Sequence, residues 1–283
     1  MNAIPTKALL NELSEQLQAG FGQREAGNLA MELLGHFFGL DRMKVALNES
    51  CLADEQTRAR VKQAISRLLN HEPLQHILGN VEFYGLTLKS DARALIPRPE
   101  TEELVDWVVK ESAGQALKIL DIGTGTGCIP IALGKNLPLA AISGLDVSEA
   151  ALNLAHENAL LNQIDIKWHL LNILEAPLPD EYDVLVSNPP YIPETDKAQM
   201  APNVLEHEPG LALFVSNDSP LIFYQRIATL GLESLKEGGA LYFEIHEGYG
   251  REMIKMLEGL GYVNVTLRQD LQGKDRMIKA TRS

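Results

Sequence analysis

Beyond Gly114, strand-length apolar runs alternate with stretches of helical periodicity, and that alternation constrains the fold of the 283-residue chain more than any other feature. A strand that is apolar throughout must be covered on both faces, and crossover helices supply the cover, so the pattern predicts a doubly wound α/β sheet. The strands fall at 118–122, 141–146, 166–171, 183–187, 240–245, 263–267 and 277–280, which makes a parallel sheet of seven. Short helical stretches separate the first four. A long connection, 188–237, divides the fourth from the fifth, and long connections after a strand's carboxyl end tend to be functional.

The first seventy residues follow a different rule. Leu9, Leu10, Leu13 and Leu17 recur at three- and four-residue steps, and Ala26, Leu29, Ala30, Leu33, Leu34 and Phe37 do so again, with Gly20 and Gly39 as stops. Asp41 caps a short third helix, and Val61, Ile65, Leu68 and Leu69 form the stripe of a fourth that begins near Ala53. Residues 1–73 therefore read as a helical bundle domain. From 74 to 98 the pattern turns to alternation broken by Gly79, Gly85 and Pro97, a linker with a hairpin. Residues 99–283 form the second domain, opening on a helix that Thr101 caps and in which Leu104, Val105, Val108 and Val109 share a face.

Composition narrows the function classes. With 45% apolar and 22% charged residues the chain is neither disordered nor collagenous. No stretch reaches the roughly 18 apolar residues of a membrane span, and Lys7, Glu12 and Glu15 interrupt the first twenty residues where a signal peptide needs an apolar centre. The expected location is the cytoplasm, in keeping with two cysteines, Cys51 and Cys128, read as buried thiols. The seven histidines show no metal-ligand spacing, so no metal is expected. Residues 1–80 hold 8 Lys and Arg against 9 Asp and Glu, and the remainder 17 against 29. Such an acidic second domain is the wrong sign for phosphate neutralisation, which argues against bare nucleic acid as the main ligand.

Three motifs bear on chemistry. Asp121-Ile122-Gly123-Thr124-Gly125-Thr126-Gly127 follows the first strand and opens a helix, where glycines let backbone approach a ligand. A dinucleotide fingerprint would need glycine at Cys128, which counts against NAD. Asp146 ends the second strand before Ser148; its carboxylate can accept from ribose hydroxyls, or simply face a helix start. Asn188-Pro189-Pro190-Tyr191 follows the fourth strand. Its two prolines fix chain direction and donate no backbone hydrogen bonds, so Asn188 and free carbonyls offer acceptors to an NH2 group and Tyr191 a flat face.

Together these resemble the S-adenosylmethionine-dependent amino-methyltransferases, and within them the HemK/PrmC family of peptide chain release factor N5-glutamine methyltransferases. The resemblance extends over nearly the whole chain: Glu72-Pro73-Leu74-Gln75-His76-Ile77-Leu78-Gly79, Ile96-Pro97-Arg98-Pro99-Glu100-Thr101-Glu102, the glycine turn, the Asn188 tetrapeptide, Glu208-Pro209 with Ala212-Leu213, and Gly273-Lys274-Asp275-Arg276. It implies a Rossmann-like class I methyltransferase sheet and S-adenosylmethionine as cofactor. Gly123, Thr124, Gly125, Thr126 and Gly127 would wrap its methionine and ribose, and Asp146 would hold the ribose hydroxyls. Asn188 would touch cofactor and acceptor alike. The acceptor, the glutamine of the GGQ loop of a class-1 release factor, would lie against Asn188, Pro189, Pro190 and Tyr191, of which Asn188, Pro189 and Tyr191 serve catalysis. Where the family often has an acid and an aromatic, this chain has Asn172 and Ile173, an amide oxygen for the adenine amino group and an aliphatic surface for its ring.

A carboxamide nitrogen is a poor nucleophile because its lone pair is delocalised, so the expected mechanism is direct in-line transfer aided by positioning, with proton loss to water. Glu100, Glu102 and Glu244 could also accept that proton, although as residue types in these places they read first as salt-bridge or cap residues. The helical domain is expected to recognise the release factor, with no direct nucleic-acid or membrane partner. Two rivals differ in class: an adenine-N6 methyltransferase of DNA or RNA, whose flipped base fits the same corner, and a noncatalytic release-factor-binding scaffold, against which intact Gly123, Asp146 and Asn188 argue. A nicotinamide-dependent dehydrogenase ranks last.

Overall fold

The structure, a computed structural model, describes residues 3–283; Met1 and Asn2, the start of the expected helical domain, lie outside the described residues. The chain forms two compact units, one of residues up to Gly79 with 201–207, the other of 80–200 with 208–283.

In the first unit β1 (Ala3–Pro5) precedes α1 (Thr6–Leu17), α2 (Gln23–Phe38) and α3 (Arg42–Ala46), and β2 (Ser50–Leu52) precedes α4 (Glu55–Leu69) and α5 (Leu74–Leu78). Leu9, Leu13 and Leu17 meet Ala26, Ala30, Leu33 and Leu34, and both stripes meet Val61, Ala64, Ile65 and Leu68 in one buried cluster. These are the faces that helical spacing exposes to a common core. Asp41 caps α3 by accepting the Lys44 N–H at 2.8 Å, and Asp54 caps α4 by accepting the Thr57 N–H at 2.6 Å. The β1–β2 pair, three residues a side, was too short to leave a pattern. Cys51 in β2 is half-buried, whereas Cys128 is buried, so only one of the two thiols is in a core. No described helix is long and apolar enough to cross a membrane.

The segment 74–98 divides at Gly79. Leu74, Ile77 and Leu78 have helical spacing and pack on the first core, so α5 forms there instead of extended chain and ends at Gly79 with φ of 74°. The hairpin follows, β3 (Asn80–Phe83) antiparallel to β4 (Leu86–Lys89). Tyr84 and Gly85, with φ of 49° and 74°, turn it in the sense that suits the strands' own twist.

After α6 (Pro99–Ser112) come β5 (Lys118–Ile122), α7 (Cys128–Asn136), β6 (Ala141–Asp146), α8 (Glu149–Asn162), β7 (Lys167–Leu170) and β8 (Tyr182–Ser187). The long connection contains a small parallel pair, β9 (Ile192–Pro193) with β10 (Phe214–Val215), and the helix α9 (Pro202–His207). Then follow α10 (Ile222–Ser234), β11 (Leu235–Glu244), α11 (Gly250–Leu260), β12 (Val263–Gln269) and β13 (Asp275–Thr281).

Among the described residues the main sheet has seven strands, ordered β12-β13-β11-β8-β5-β6-β7. It is mixed rather than wholly parallel: β13 runs antiparallel to both β11 and β12. The reason is local, because the tight turn at Asp270 and Gly273 between β12 and β13 leaves no room for the crossover a parallel pair requires. Alternation along the strands separates two cores. Ile119, Val184, Val186 and Tyr242 pack on the side of α6 and α7, whereas Leu120, Leu185, Leu241 and Phe243 pack on the side of α10 and α11. By the same period Asp121 and Glu244 both project to the α6 and α7 side.

The helix α6 begins at Pro99, not after Thr101. Proline at the first helical position needs no N–H partner and fixes φ for the helix, so the start moves three residues earlier. Thr101 is thereby released from capping and points its hydroxyl inward.

Candidate active site

β5 is flanked by β6 on one side and β8 on the other, because the chain winds outward through β6 and β7 and then returns. A crevice opens at the carboxyl ends of strands where winding reverses in this way. A cavity there is lined by Gly123, Gly125, Asp146, Ser148, Asn172, Ile173, Asn188, Pro189 and Pro190, with Ala94 and Leu95 before α6 and Pro209, Leu211 and Ala212 before β10. Three motifs spread over more than sixty residues of sequence thus share one wall. A larger concavity of about 850 Å³ opens at the opposite edge, among Lys118, Gly134, Ile142, Asp165 and Tyr182. It faces the strands' amino ends and contains none of the three motifs.

The glycine turn is held by backbone. The N–H groups of Gly123 and Thr124 both donate to the Leu145 carbonyl at 2.9 Å, and Gly125 N–H donates to Asp146 Oδ2 at 2.9 Å. Asp146 Oδ1 accepts the Ser148 N–H at 2.9 Å, so one carboxylate joins the turn after β5 to the start of α8. Burial raises its pKa, against the backbone hydrogen bonds from Ser148 and Gly125. Gly127 has φ of 79°, and a Cβ there would meet Ala155 Cβ at 3.0 Å and Ala155 Cα at 3.2 Å. Gly127→Ala is therefore expected to destabilise the fold by about 1–3 kcal/mol through backbone strain and overpacking. A thermal melt reads this directly, and an unchanged midpoint would contradict the assignment.

Asp121 is the last polar side chain before the glycine turn. It is fully buried, and neither carboxylate oxygen has a hydrogen-bond partner. Burial pushes its carboxyl up to about 7, opposed by the Thr124 hydroxyl and aided by the Asp146 charge. An orphaned carboxylate behind a ligand-facing turn is a costly arrangement without a cationic partner.

The Asn188 corner is organised from behind. Asn188 Nδ2 donates to Thr101 Oγ1 at 3.3 Å, and Thr101 Oγ1 donates to Glu244 Oε2 at 2.6 Å. The Tyr191 hydroxyl donates to Glu244 Oε1 at 3.3 Å, and the Tyr224 hydroxyl to the Glu244 carbonyl at 3.0 Å. Ser187, just before the corner, donates to the Ile122 carbonyl at 2.6 Å, tying β8 to β5 at this edge. Asn188, Pro189 and Pro190 line the cavity, but Tyr191 does not; its ring lies edge-on to His246 with centroids 6.0 Å apart.

Of the three glutamates considered as proton acceptors, none lines the cavity. Glu244 is buried and occupied by two hydroxyls. Glu102 accepts the Tyr84 N–H at 2.9 Å, and Glu100 lines a separate groove with Arg268 and Gln272.

Thr126 lies buried within the turn. Asn172 Oδ1 accepts the Leu174 N–H at 3.1 Å, and Arg226 fixes the same loop by donating to the Ile173 carbonyl at 3.0 Å and the Ala176 carbonyl at 3.2 Å. On the other wall, buried Glu208 accepts the Ile96 N–H at 3.1 Å and Arg98 Nη2 at 2.6 Å. That pair explains why Ile96, Arg98 and the Glu208-Pro209 dipeptide occur together in one chain. Their separation of more than a hundred residues hid the link.

Comparison with known proteins adds to this geometry. Residues 100–209 match the Methyltransferase small domain family and residues 8–79 the PrmC N-terminal domain family. A protein of Flavobacterium psychrophilum named release factor glutamine methyltransferase is 42% identical over 270 residues, covering 94% of this chain and 95% of that protein. The chain belongs to the release factor glutamine methyltransferase family. Another family member, from Bacteroides thetaiotaomicron, is 41% identical over 272 residues, covering 95% and 98% of the two chains. A crystal structure of a methyltransferase from Pyrococcus furiosus, at 15% identity, superposes with a TM-score of 0.53 over 81% of this chain and 100% of that one. This likeness of fold agrees with the class I methyltransferase sheet expected from the family's motifs.

Proposed function

We infer that the protein transfers a methyl group from S-adenosylmethionine to the side-chain amide nitrogen of the glutamine in the GGQ loop of a class-1 peptide chain release factor. The observation that carries this reading is the single cavity shared by Gly123, Gly125, Asp146 and the Asn188-Pro189-Pro190 corner. A nucleoside site and an amide-binding corner meet there.

The donor set fits the cofactor. The free lone pairs of Asp146 suit a ribose diol, and the glycine turn admits backbone-close contact. The orphaned Asp121 carboxylate suits the α-ammonium group, and Asn172 and Ile173 flank the space for adenine. When bound, the sulfonium supplies an electrophilic methyl group and a neutral thioether leaving group.

The chain's own part is positioning. Asn188 Oδ1, opposite the nitrogen that Thr101 holds, and the carbonyls around Pro189 accept the two amide N–H bonds of the glutamine. Prolines at 189 and 190 keep the corner stiff, so little ordering remains at the moment of transfer. Tyr191 contributes through its packing and its hydroxyl bond to Glu244 rather than as a face open to the cavity. With no free carboxylate of Glu100, Glu102 or Glu244 in the cavity, the product proton passes to water. The helical first unit is assigned to recognition of the release-factor protein.

Ionisation of Asp121 makes the cofactor site pH-dependent. Its carboxyl rises from 3.8 to about 7 on folding, so the stability it contributes is present below the unfolded value and lost as pH rises through about 7. A cation beside it reverses that preference. Cofactor affinity is expected to strengthen from about pH 6 to about pH 8, with proton release on binding near pH 6 that calorimetry in buffers of different ionisation enthalpy detects. Asp121→Asn flattens the profile; a flat wild-type profile would remove Asp121 from the site.

The test of the reading is purified protein with methyl-labelled S-adenosylmethionine, offered a class-1 release factor or DNA and RNA. Label is expected on the factor's glutamine. Label on nucleic acid and none on the factor would overturn it in favour of the adenine-N6 alternative.

A further inference from the structure

Behind the Asn188 corner lies a buried chain of polar groups that the transfer reaction does not itself require. Glu244 is fully buried at the end of β11, on the face of the sheet that meets α6. Its two oxygens take hydrogen bonds from different elements, Thr101 of α6 and Tyr191 after β8. Burial raises the Glu244 carboxyl above its ordinary value, and the Thr101 hydrogen bond and the charge of Arg276 on β13, itself anchored to Asp270 Oδ2 at 3.1 Å, act in the opposite sense.

Hydrogen-bond polarity gives this chain a direction. Each Glu244 oxygen accepts a hydroxyl, Oε2 that of Thr101 and Oε1 that of Tyr191, so the single hydroxyl hydrogen of Thr101 is committed to Glu244. The Thr101 oxygen can then only accept from Asn188. That requirement turns the Asn188 carboxamide so that its NH2 faces Thr101 and its carbonyl oxygen is left for the cavity.

We propose that Glu244 is a positioning residue which, through the Thr101 hydroxyl, fixes the orientation of the Asn188 carboxamide and so determines that the site presents a hydrogen-bond acceptor, not a donor, to the substrate nitrogen. The inference rests on the glutamine-methyltransferase reading for its consequence, though not for its geometry. A flipped Asn188 would meet the substrate NH2 with its own NH2, and a like-polarity contact in a closed site opposes binding of the reactive pose. Selectivity for a planar NH2 acceptor is thus set two residues away from the acceptor itself.

Isosteric variants separate this relay from simple packing. Glu244→Gln keeps the shape but gives the side chain donors of its own, so Thr101 is free to donate to Asn188 instead. The expected result is a fall in kcat of about 10-fold or more, with the dissociation constant for S-adenosylmethionine unchanged. Thr101→Val fills the same volume without the hydroxyl and should lose activity similarly, whereas Thr101→Ser, smaller but hydroxylated, recovers most of it. Packing alone predicts the reverse order for valine and serine. In the double variant Glu244→Gln with Thr101→Val, the two losses should not add, since both break one chain.

A readout independent of turnover accompanies the kinetics. In protein labelled with 15N-asparagine, the Asn188 carboxamide pair, assigned by its disappearance in Asn188→Ser, should shift in Glu244→Gln and Thr101→Val but hold its place in Thr101→Ser. A wild-type carboxamide signal and wild-type kcat in Glu244→Gln, or additive losses in the double variant, would overturn the relay. A wild-type protein that leaves release factor unlabelled would sink the functional reading instead, and the amide resonances would still report on the relay.

Discussion

Asn188→Ala is expected to lower glutamine methylation by about 100-fold or more while S-adenosylmethionine binds almost as before. On the proposed reading the removed group is an acceptor for the nucleophile's N–H, and loss of one such positioned polar group at a reaction centre costs about two to three orders of magnitude. The glycine turn and Asp146 hold each other without Asn188, so the cofactor wall should stand. Thr101 would lose one donor, but its bond to Glu244 remains, and the corner stays fixed by Pro189 and Pro190. Single-turnover transfer combined with calorimetric cofactor titration distinguishes the outcomes. Near-normal transfer would remove Asn188 from its assigned role, and a parallel collapse of cofactor affinity would reassign it to the other wall.

Asp146→Ala should do the opposite: raise the cofactor dissociation constant by about 100-fold or more, with a smaller effect on transfer at saturating cofactor. Hydrogen bonds from neutral hydroxyls to a charged acceptor are worth about 1.5–3 kcal/mol each, and two are at stake with a ribose diol. The carboxylate also accepts from Gly125 and Ser148, so the alanine variant leaves two backbone donors without their partner and loosens the turn. Asp146→Asn, which retains one carbonyl oxygen, is expected to lose less. Titration with S-adenosylmethionine and with S-adenosylhomocysteine checks this, because both share the ribose. An equal loss of affinity for methionine alone would place the defect in the turn rather than at the diol.

How far the residues could be read in advance depended on the distance over which each one acts. The strands at 118–122 and 141–146 and the faces of α1, α2 and α4 were legible because alternation and helical spacing are consequences of local geometry. The antiparallel β13 was missed because an apolar run looks the same in either direction; only the short turn at Gly273 decides it. A hydroxyl before an apolar helical stripe is a good local signal for a helix cap, and Thr101 carries that signal. The structure gives that hydroxyl a carboxylate 143 positions away. Glu208 and Arg98 are joined across 110 positions, and nothing in either neighbourhood announces the other. Glu244 could be picked as a titratable residue near the end of a strand, yet its withdrawal from proton transfer depends on being buried beneath Tyr191 and α6.

From the sequence alone follow the α/β architecture with its helical companion and the three motifs that share one cavity, because periodicity and turn chemistry are written in neighbouring residues; the family followed from resemblance of those motifs. Only the tertiary structure decided that Asp121 is a buried carboxylate, that Tyr191 bonds to Glu244 and does not line the cavity, and that the Asn188 NH2 group faces Thr101. Those properties depend on which groups are excluded from water together, and water is excluded by segments far apart in the chain.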